Sequence, residues 1–326
     1  MAEKELFLGV DGGGTKTVAV AARADGTVIG LRRGAGINYN NIGMDAARET
    51  LFAVIAPLLQ GCGGDYREIC IGMPALDAAA DEATTRAFAG TRFDPARLDL
   101  QSDAYTALLG LSMGKPAMIV ICGTGSILLL ADGSGRQRVL GGWGHLLGDP
   151  GSGHALATDG LRAAIDAWEG LGPATALTDA ATRYFSLDTP RRLIDRIYAP
   201  DCTPDRIAGF ARSVLELAAA GDPSAIAVLR QNMTHIAREA AALLQSAPEV
   251  RLVGLYGGIF EHSADARDLF TGILDGLCPG KTVTQPNYPP ELGALLHCYQ
   301  KRGLLAPALL QRLEDSYAAV RQMADI

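Results

Sequence analysis

Three consecutive glycines between two apolar runs are the feature that most constrains this chain. Residues 6–22 read LFLGVDGGGTKTVAVAA, which predicts a β-hairpin with the triple glycine 12–14 as its turn. Glycine has no Cβ, so backbone N–H groups in such a turn can approach a large anion closely, and Thr15 and Thr17 add hydroxyl donors. An ordinary tight hairpin needs only a pair such as Asn-Gly. The triple glycine therefore favours a polyphosphate site.

The same pattern returns about 110 residues later. Residues 117–122 are apolar, 123–126 form a Gly-Thr-Gly-Ser turn, and 127–131 are apolar again. In both copies an Asp-Gly pair, at 25–26 and at 132–133, precedes a third predicted strand. The order strand, turn, strand, Asp-Gly, strand predicts a duplicated domain, with two glycine-hydroxyl hairpins that clamp one polyphosphate from both sides.

Length and composition limit the classes of protein that fit. The chain has 326 residues, enough for two domains, and 48% apolar with 20% charged residues is an ordinary globular balance. The formal net charge is −7 and no run of Lys or Arg offsets it, which argues against a nucleic acid or an anionic membrane as partner. The N-terminus lacks the apolar core of a signal peptide, and no stretch approaches the ~20 apolar residues of a membrane span. We therefore expect a cytoplasmic protein that binds small molecules.

Strands and helices alternate around the two hairpins. The periodicity predicts strands at 68–73 and 250–256, a strand running into a helix over 98–110, and helices at 44–59, 81–90, 155–169, 179–185, 190–197, 204–219, 224–245 and 306–323. We expect an α/β fold with an N-terminal domain of residues 1–113, joined by the terminal helix at about 306–326. The C-terminal domain is expected to span 114–305, with a helical insert at about 155–245.

Two pairs of residues at predicted strand ends can each be interpreted in two ways. Ser102 or Asp103 lies where the N-cap of the following helix is expected, but open α/β sheets also bind ligands at the carboxyl ends of strands. Asp103 is therefore either a cap or a candidate catalytic carboxylate. Gly257 and Gly258 either leave room for a flat group against the backbone or mark a simple strand-to-helix turn.

The glycine-dense loop at 141–153 is a candidate substrate site. A flexible linker seldom contains a tryptophan, whereas a loop that holds Trp143 beside Asp149 suits a small polar substrate. The alternative for Asp149 is a cap on the helix that begins near Ser152 or His154.

Six segments of the chain, taken together, resemble one superfamily. They are GVDGGGTKT, SDA, ICGTGSI, GGWGHLLGD, LYGGIF and PPELGALL. In their order and spacing over most of the chain they resemble the sugar kinase, actin and heat-shock ATPase superfamily. More narrowly, they resemble the N-acetylglucosamine kinase group of the BadF/BadG/BcrA/BcrD-type ATPases. The resemblance implies two ribonuclease-H-like (actin-like ATPase) α/β domains with an interdomain cleft.

The resemblance also implies the residues of the site. Asp103 is implied as the catalytic base and as a sugar contact, and Asp11 as the acidic residue that holds Mg²⁺ through water. The implied ATP contacts are Gly12, Gly13, Gly14, Thr15, Lys16, Thr124, Ala208, Gly257 and Gly258. The implied sugar contacts are Asn38, Asp103, Ser126, Ile127, Gly142, Trp143, Gly144 and Asp149.

The implied activity is phosphorylation of an amino sugar by ATP, with N-acetylglucosamine and its C6 hydroxyl as the first choice. Asn40 and Pro150 stand where eukaryotic members carry other residues beside the sugar, so glucosamine or another hexose stays an alternative. The implied partners are the sugar and ATP, with no nucleic acid and no membrane, and relatives of this kind are often homodimers.

Two other classes of protein share this fold. An activator ATPase of a CoA dehydratase or reductase needs cysteines for an iron–sulfur cluster at a dimer interface. The six cysteines form no CxxC or close pair, and Cys122 lies in a predicted buried strand, which disfavours that role. A sugar-sensing regulator needs a DNA-binding helix-turn-helix region, for which the predicted elements leave no residues.

Overall fold

The computed structural model of the protein describes residues 5–60 and 65–324. Gly61, the predicted end of the first long helix, and Cys62 lie outside the described residues. The chain divides into two compact units, of which one combines Met1–Lys115 with Pro286–Ile326 and the other is Pro116–Gln285. Within the described ranges, no helix has the length and apolar character needed to cross a membrane.

Each unit is built on one five-stranded sheet that carries helices. The strands are β1 (Leu6–Gly12), β2 (Lys16–Arg23), β3 (Val28–Ala35), β4 (Glu68–Met73), β5 (Leu98–Ser102), β6 (Ala117–Cys122), β7 (Ser126–Ala131), β8 (Gln137–Gly141), β9 (Leu252–Tyr256) and β10 (Thr282–Thr284). The helices are α1 (Tyr39–Ile42), α2 (Met44–Gln60), α3 (Glu82–Ala89), α4 (Asp103–Ser112), α5 (Gly153–Glu169), α6 (Leu177–Phe185), α7 (Leu193–Ile197), α8 (Pro204–Ala208), α9 (Ala211–Ala219), α10 (Pro223–Gln245), α11 (Gly258–His262), α12 (Ala264–Leu277), α13 (Pro290–Lys301) and α14 (Pro307–Ala324).

The sheet of the first unit has the order β3-β2-β1-β4-β5. β1, β2 and β3 form an antiparallel meander, whereas β4 and β5 add to the other side of β1 in parallel. Side chains of β1 alternate between the two faces, so Leu8 and Val10 pack towards α2 and α3 while Phe7 packs towards α13 and α14. The rings of Phe7 and Tyr299 lie 5.2 Å apart. The strand that leads into the glycine turn is therefore buried on both faces and held rigidly.

The sheet of the second unit repeats this arrangement as β10-β9-β6-β7-β8. β6, β7 and β8 form the antiparallel meander, and β9 and β10 add in parallel beside β6. β6 thus takes the place that β1 has in the first unit, which confirms the predicted duplication. The core on this sheet is formed with α5, α9, α10 and α12, where the rings of Phe260 and Phe270 pack 5.6 Å apart.

The predicted boundary of the C-terminal domain needs a correction. We expected residues 114–305 to form one domain, but α13 belongs to the first unit. The reason is close backbone packing: a methyl group built on Gly9 would lie 2.1 Å from the carbonyl oxygen of Glu291. Likewise, one built on Gly293 would lie 1.9 Å from the carbonyl oxygen of Thr106. Glycines on β1 and on α13 therefore let this helix lie directly on the first sheet.

Some local predictions also differ from the structure. The helix expected over 204–219 is interrupted at Gly209, where a methyl group would lie 2.2 Å from the hydroxyl oxygen of Tyr184. Helix α12 and strand β10 were not predicted. The apolar spacing of α12 is interrupted by Gly272 and Gly276, both of which have open space around them.

Candidate functional site

The glycine turn of the first unit joins β1 to β2. The N–H of Gly13 donates to the carbonyl of Lys16 at 2.8 Å, and the N–H of Ile37 donates to the carbonyl of Gly13 at 3.1 Å. Gly14 and Thr15 are exposed at the tip, as is Lys16. The expectation that all three glycine N–H groups face an anion is therefore wrong for Gly13, because its N–H closes the turn.

Thr17 also differs from its expected role as a hydroxyl donor to an anion. It is fully buried, and its hydroxyl donates to the carbonyl of Ala35 on β3 at 2.7 Å. Thr17 thus fixes the meander, and Thr15 is left as the exposed hydroxyl of this turn. Gly12 is buried at the end of β1, where a methyl group would lie 2.6 Å from the carbonyl oxygen of Gly72.

Three carboxylates gather beside this turn. Asp11 precedes the glycines on β1, Asp103 begins α4, and Glu291 lies in the first turn of α13. Burial raises the pKa of Asp11 to about 7, the negative charges of Glu291 and Asp103 act in the same direction, and Lys16 opposes them. Burial also raises the pKa of Asp103. The first unit therefore concentrates negative charge in a poorly hydrated place, where a cation or a proton is favoured.

Ser102 rather than Asp103 is the N-cap of α4. The hydroxyl of Ser102 accepts a hydrogen bond of 3.1 Å from the N–H of Tyr105. Oδ1 of Asp103 accepts a hydrogen bond of 2.7 Å from the N–H of the adjacent Ala104. The cap alternative for Asp103 is thereby removed, while its candidacy as a catalytic carboxylate stays a prediction.

Asn38 is brought next to the glycine turn by its neighbour Ile37, whose N–H is bound to Gly13. Its side-chain oxygen caps the short helix α1 by accepting from the N–H of Asn40 at 3.0 Å. The sequence pattern did not predict this helix. The capping bond uses the oxygen of Asn38, so the amide NH₂ is the group that it can present to a sugar hydroxyl.

The second glycine turn, at the end of β6, is bound to the start of α5. The N–H of Gly153 donates to the carbonyl of Gly123 at 2.7 Å, and the N–H of His154 donates to that of Thr124 at 3.1 Å. The hydroxyl of Thr124 donates to the carboxylate of Asp205 on α8 at 2.9 Å. The turn thus lies at the N-terminus of a long helix, a position that favours anions.

Ala208 and Gly257 lie at the same turn. A methyl group built on Gly153 would lie 3.5 Å from Cβ of Ala208. One built on Gly257 would lie 2.5 Å from the carbonyl oxygen of Cys122, and φ at Gly257 is 97°. Only glycine fits this position without strain. Gly258, the next residue, begins α11. The structure therefore brings Thr124, Ala208 and the glycine pair together, and their role as ATP contacts stays a prediction.

The predicted sugar residues of the second unit surround Asp149. The N–H of Gly142 donates to the carbonyl of Ser126 at 3.1 Å, and a methyl group built on Gly142 would lie 3.0 Å from Cδ1 of Ile127. Gly144 accepts hydrogen bonds from two N–H groups of the loop. Trp143 is 75% exposed, so its ring has a free surface for a ligand to cover.

Asp149 itself does not cap a helix. Ser152 is the N-cap of α5, accepting from the N–H of Ala155 at 3.1 Å. Asp149 is only 5% exposed and has a left-handed backbone with φ of 62°. Burial raises the pKa of its carboxyl group, although the N–H groups of Gly144 and Ser126 lower it in part. The structure thus contradicts the cap alternative and leaves a buried carboxylate below the glycine loop.

Sequence reasoning missed three acidic residues that the structure adds. Glu291 joins Asp11 and Asp103, Asp205 accepts from Thr124, and Glu239 on α10 lies near Asp149. Glu239 carried a detectable signal, because it stands between Ile236 and Leu243 on the apolar stripe of its helix. The other two depend on packing between distant segments, which a single sequence does not display.

Comparison with known proteins identifies the family of this chain. The sequence profile of the BadF/BadG/BcrA/BcrD ATPase family matches residues 8–298. The chain belongs to this family.

Relatives of this BadF/BadG/BcrA/BcrD ATPase include named amino-sugar kinases. An N-acetyl-D-glucosamine kinase of Dictyostelium discoideum is 28% identical over 310 residues, which cover 90% of this chain and 97% of the relative. The glucosamine kinase GspK of Vibrio cholerae is 30% identical, with 79% of this chain and 86% of the relative covered. A solved structure from Chromobacterium violaceum, assigned provisionally as an N-acetylglucosamine kinase, superimposes with a TM-score of 0.71 at 29% identity, covering 90% and 98% of the two chains.

The five described cysteines of this family member do not gather into a cluster site. Cys122 is fully buried in β6, and burial raises the pKa of its thiol, which disfavours the thiolate that an iron ligand requires. Among the described residues, no three His, Cys, Asp or Glu side chains lie close enough to enclose a metal ion. The activator alternative therefore gains no support from the structure.

The acidic group of the first unit fits a hard cation held partly by water. Mg²⁺ prefers oxygen ligands and keeps several of its waters, so it needs only one or two carboxylates from a protein. Such a cation would relieve the repulsion that adds to burial in raising the pKa of Asp11. Asp11 with at most one of its acidic neighbours, acting partly through water, is thus chemically suitable for Mg²⁺.

Proposed function

We propose that this protein is an ATP-dependent kinase that transfers the γ-phosphoryl group to the C6 hydroxyl of an amino sugar. The observation that carries the proposal is the position of Asp103, a half-buried carboxylate at a strand end that is not used as the helix cap. Family membership and the names of the relatives support the same reaction. Those names include both N-acetylglucosamine and glucosamine kinases, so either form of the sugar is an acceptor in this proposal.

In this reaction Asp103 accepts the proton of the attacking hydroxyl. Burial raises the pKa of Asp103, which makes its carboxylate a stronger base and suits general-base catalysis. Phosphoryl transfer has a loose transition state, so positioning and charge stabilisation contribute more than early proton removal. Asp103 therefore orients the hydroxyl first and takes its proton late.

The proposed nucleotide contacts belong to both glycine turns. In the second unit, Thr124 and the start of α5 hold phosphate oxygens, while Ala208 and Gly257-Gly258 lie against the adenosine. In the first unit, the exposed tip formed by Gly14, Thr15 and Lys16 holds further phosphate oxygens, with Gly12 and Gly13 shaping the turn. When Mg²⁺ is bound, it supplies positive charge to the transferring phosphate, and Asp11 holds it through water.

The proposed sugar contacts of the first unit are Asn38 and Asp103, whose amide and carboxylate pair with hydroxyl groups of a sugar. Those of the second unit lie around Asp149, whose carboxylate also pairs with a sugar hydroxyl. Ser126-Ile127 and the glycines 142 and 144 let the backbone approach the ring, and Trp143 covers its apolar face. We further propose a cytoplasmic enzyme that forms homodimers, which light scattering of the purified protein tests.

Sugar-stimulated ADP release tests the proposed function. The purified protein with Mg²⁺ and ATP should release ADP slowly alone and at least about tenfold faster with glucosamine or N-acetylglucosamine, because the correct sugar completes the site. Glucose, which lacks the nitrogen, is the reference acceptor. ADP release that is the same with and without every sugar would contradict the kinase proposal.

A further inference from the structure

Two carboxylates, the buried Asp149 and the half-buried Glu239, lie at one end of the β7–β8 pair. Asp149 lies under the glycine loop, and a methyl group built on Gly125 would lie 2.7 Å from its Oδ2. Glu239 reaches the same place from α10, since a methyl group built on Gly141 would lie 3.8 Å from its Oε2 and 3.6 Å from the carbonyl oxygen of Ser126. Both carboxylates therefore border the loop proposed to hold the sugar.

Each of these carboxylates has an oxygen without a partner. Oδ1 of Asp149 and Oε2 of Glu239 are inaccessible to solvent and accept no hydrogen bond from any described residue. A buried unpaired acceptor on a charged group is unfavourable, and native proteins rarely retain one without a ligand or an ion to satisfy it. Two such oxygens beside one predicted substrate loop indicate that a bound ligand supplies the hydrogen-bond donor.

The missing donor should carry positive charge. The charge of Asp149 adds to burial in raising the pKa of Glu239, so the two groups repel each other when both are ionised. His145, on the loop, favours ionisation of Asp149 but no described cation pairs with either of the two unpartnered oxygens. One monovalent cation with several N–H donors would satisfy both oxygens and reduce the repulsion.

We propose that Glu239 and Asp149 form an acidic pair that binds the 2-ammonium group of a free amino sugar. The inference rests on the proposed kinase function and narrows its substrate class to glucosamine-type acceptors. An acetamide group is neutral and has only one N–H, so it would leave one carboxylate oxygen unpaired. A divalent metal ion fits less well, because no third acidic or histidine ligand stands with the pair among the described residues.

A comparison of two acceptors in two variants tests this pair. At saturating Mg²⁺ and ATP and at pH 7, wild type should have a kcat/KM for glucosamine at least about tenfold above that for N-acetylglucosamine. Glu239→Gln keeps the shape of the side chain but removes the charge, so it should lower kcat/KM for glucosamine about 10- to 100-fold and that for N-acetylglucosamine less than about threefold. Glu216→Gln, an exposed change of the same kind on α9, is the matched control and should leave both constants as in wild type.

Binding of glucosamine in the presence of a non-hydrolysable ATP analogue gives a readout independent of turnover. It should weaken in Glu239→Gln by the same factor as kcat/KM, while the melting temperature stays equal or rises because one of two repelling charges is gone. The proposed ammonium site would be contradicted if Glu239→Gln lowered kcat/KM equally for both sugars. It would also be contradicted if this variant had a lower melting temperature but unchanged sugar constants, or if wild type preferred N-acetylglucosamine. If no sugar at all stimulates ADP release, the kinase proposal itself fails. This result differs from the outcomes that contradict only the ammonium site, so failure of one proposal can be distinguished from failure of the other.

Discussion

The hydroxyl of Tyr317 on α14 donates a hydrogen bond of 2.5 Å to Glu291, and the charge of Glu291 contributes to the raised pKa of Asp11. The terminal helix is thus connected through one carboxylate to the end of β1, next to the glycine turn. Both Tyr317 and Glu291 are buried. This helix therefore does more than cover the sheet, because it fixes an acidic residue of the candidate site.

Tyr317→Phe should lower the free energy of unfolding by about 1–3 kcal/mol, because it leaves a buried carboxylate without its donor. Tyr288→Phe is the matched control, because the hydroxyl of Tyr288 also donates to a glutamate. Its partner, Glu314, lies on α14 like Tyr317 but is exposed to solvent. Water can replace that donor, so the control should lose less than about 1 kcal/mol. Urea unfolding of the three proteins measures the difference, and equal losses would contradict a special role for Glu291.

Asp103→Asn should reduce kcat by a factor of about 10²–10⁴ with KM values for sugar and ATP nearly unchanged, because the amide keeps the shape but cannot accept the proton. Its melting temperature should stay near that of wild type, since Ser102 caps the helix. Asp81→Asn, at the N-cap of the exposed helix α3, is the matched control and should leave kcat intact. An Asp103→Asn enzyme with the wild-type kcat would remove Asp103 from the chemistry.

Gly257→Ala should destabilise the protein by roughly 2–4 kcal/mol, from a left-handed backbone and a clash with Cys122. ATP binding should also weaken at least about tenfold, because the turn that carries the proposed phosphate contacts must shift. Gly272→Ala, in open space on α12, should instead stabilise by about 0.5–1 kcal/mol and leave ATP binding unchanged. Calorimetric titration measures the affinity for ATP, and thermal unfolding measures the stability. Unchanged ATP binding in Gly257→Ala would show that this glycine is not part of the nucleotide site.

Acid should weaken the first unit through Asp99. Burial opposes ionisation of this carboxyl group, but hydrogen bonds from His297 and Lys301 outweigh it and hold its pKa well below the usual range. A group whose pKa is lowered by folding stabilises the protein above its unfolded pKa of about 3.9, and this stability is lost as the pH falls further. Stability should therefore decline below about pH 4 as protons bind Asp99 in the unfolded chain.

Asp99→Asn should be less stable than wild type by about 1–3 kcal/mol at pH 7, and the difference should shrink at pH 2–3. Asp77→Asn, an exposed change of the same kind in the same unit, should follow wild type at every pH. Denaturant unfolding across this pH range provides the comparison. A constant gap between wild type and Asp99→Asn would mean that the pairing of Asp99 contributes nothing to acid sensitivity.

The parts of the fold that were predicted from sequence are those governed by local pattern. The glycine turns, their flanking apolar strands and the Asp-Gly pairs repeat within short segments, so both meanders were predicted. The position of α13 was not, because it depends on Gly9 and Gly293 allowing two backbones to meet across most of the chain length. Tertiary packing of that kind leaves no periodic signal.

The candidate site likewise has residues that the sequence identified and side-chain roles that only the structure shows. Asp103 and Asp149 were recognised as acidic residues beside strand ends or glycines, yet only the structure shows that Ser102 and Ser152 take the caps. Thr17 was given a ligand role by proximity in sequence, but strand geometry turns its hydroxyl towards β3. Side-chain direction depends on register, which the turn sequence alone does not specify.

Detection of the phosphorylated sugar decides whether this protein transfers phosphate to an amino sugar. Wild type should be incubated with Mg²⁺, ATP and either glucosamine or N-acetylglucosamine, and the products followed by phosphorus NMR together with ADP release. A kinase should form one sugar 6-phosphate for each ADP with at least one of the two sugars, and Asp103→Asn should lose both products. ADP accompanied only by inorganic phosphate, with no sugar phosphate from either acceptor, would contradict the kinase proposal.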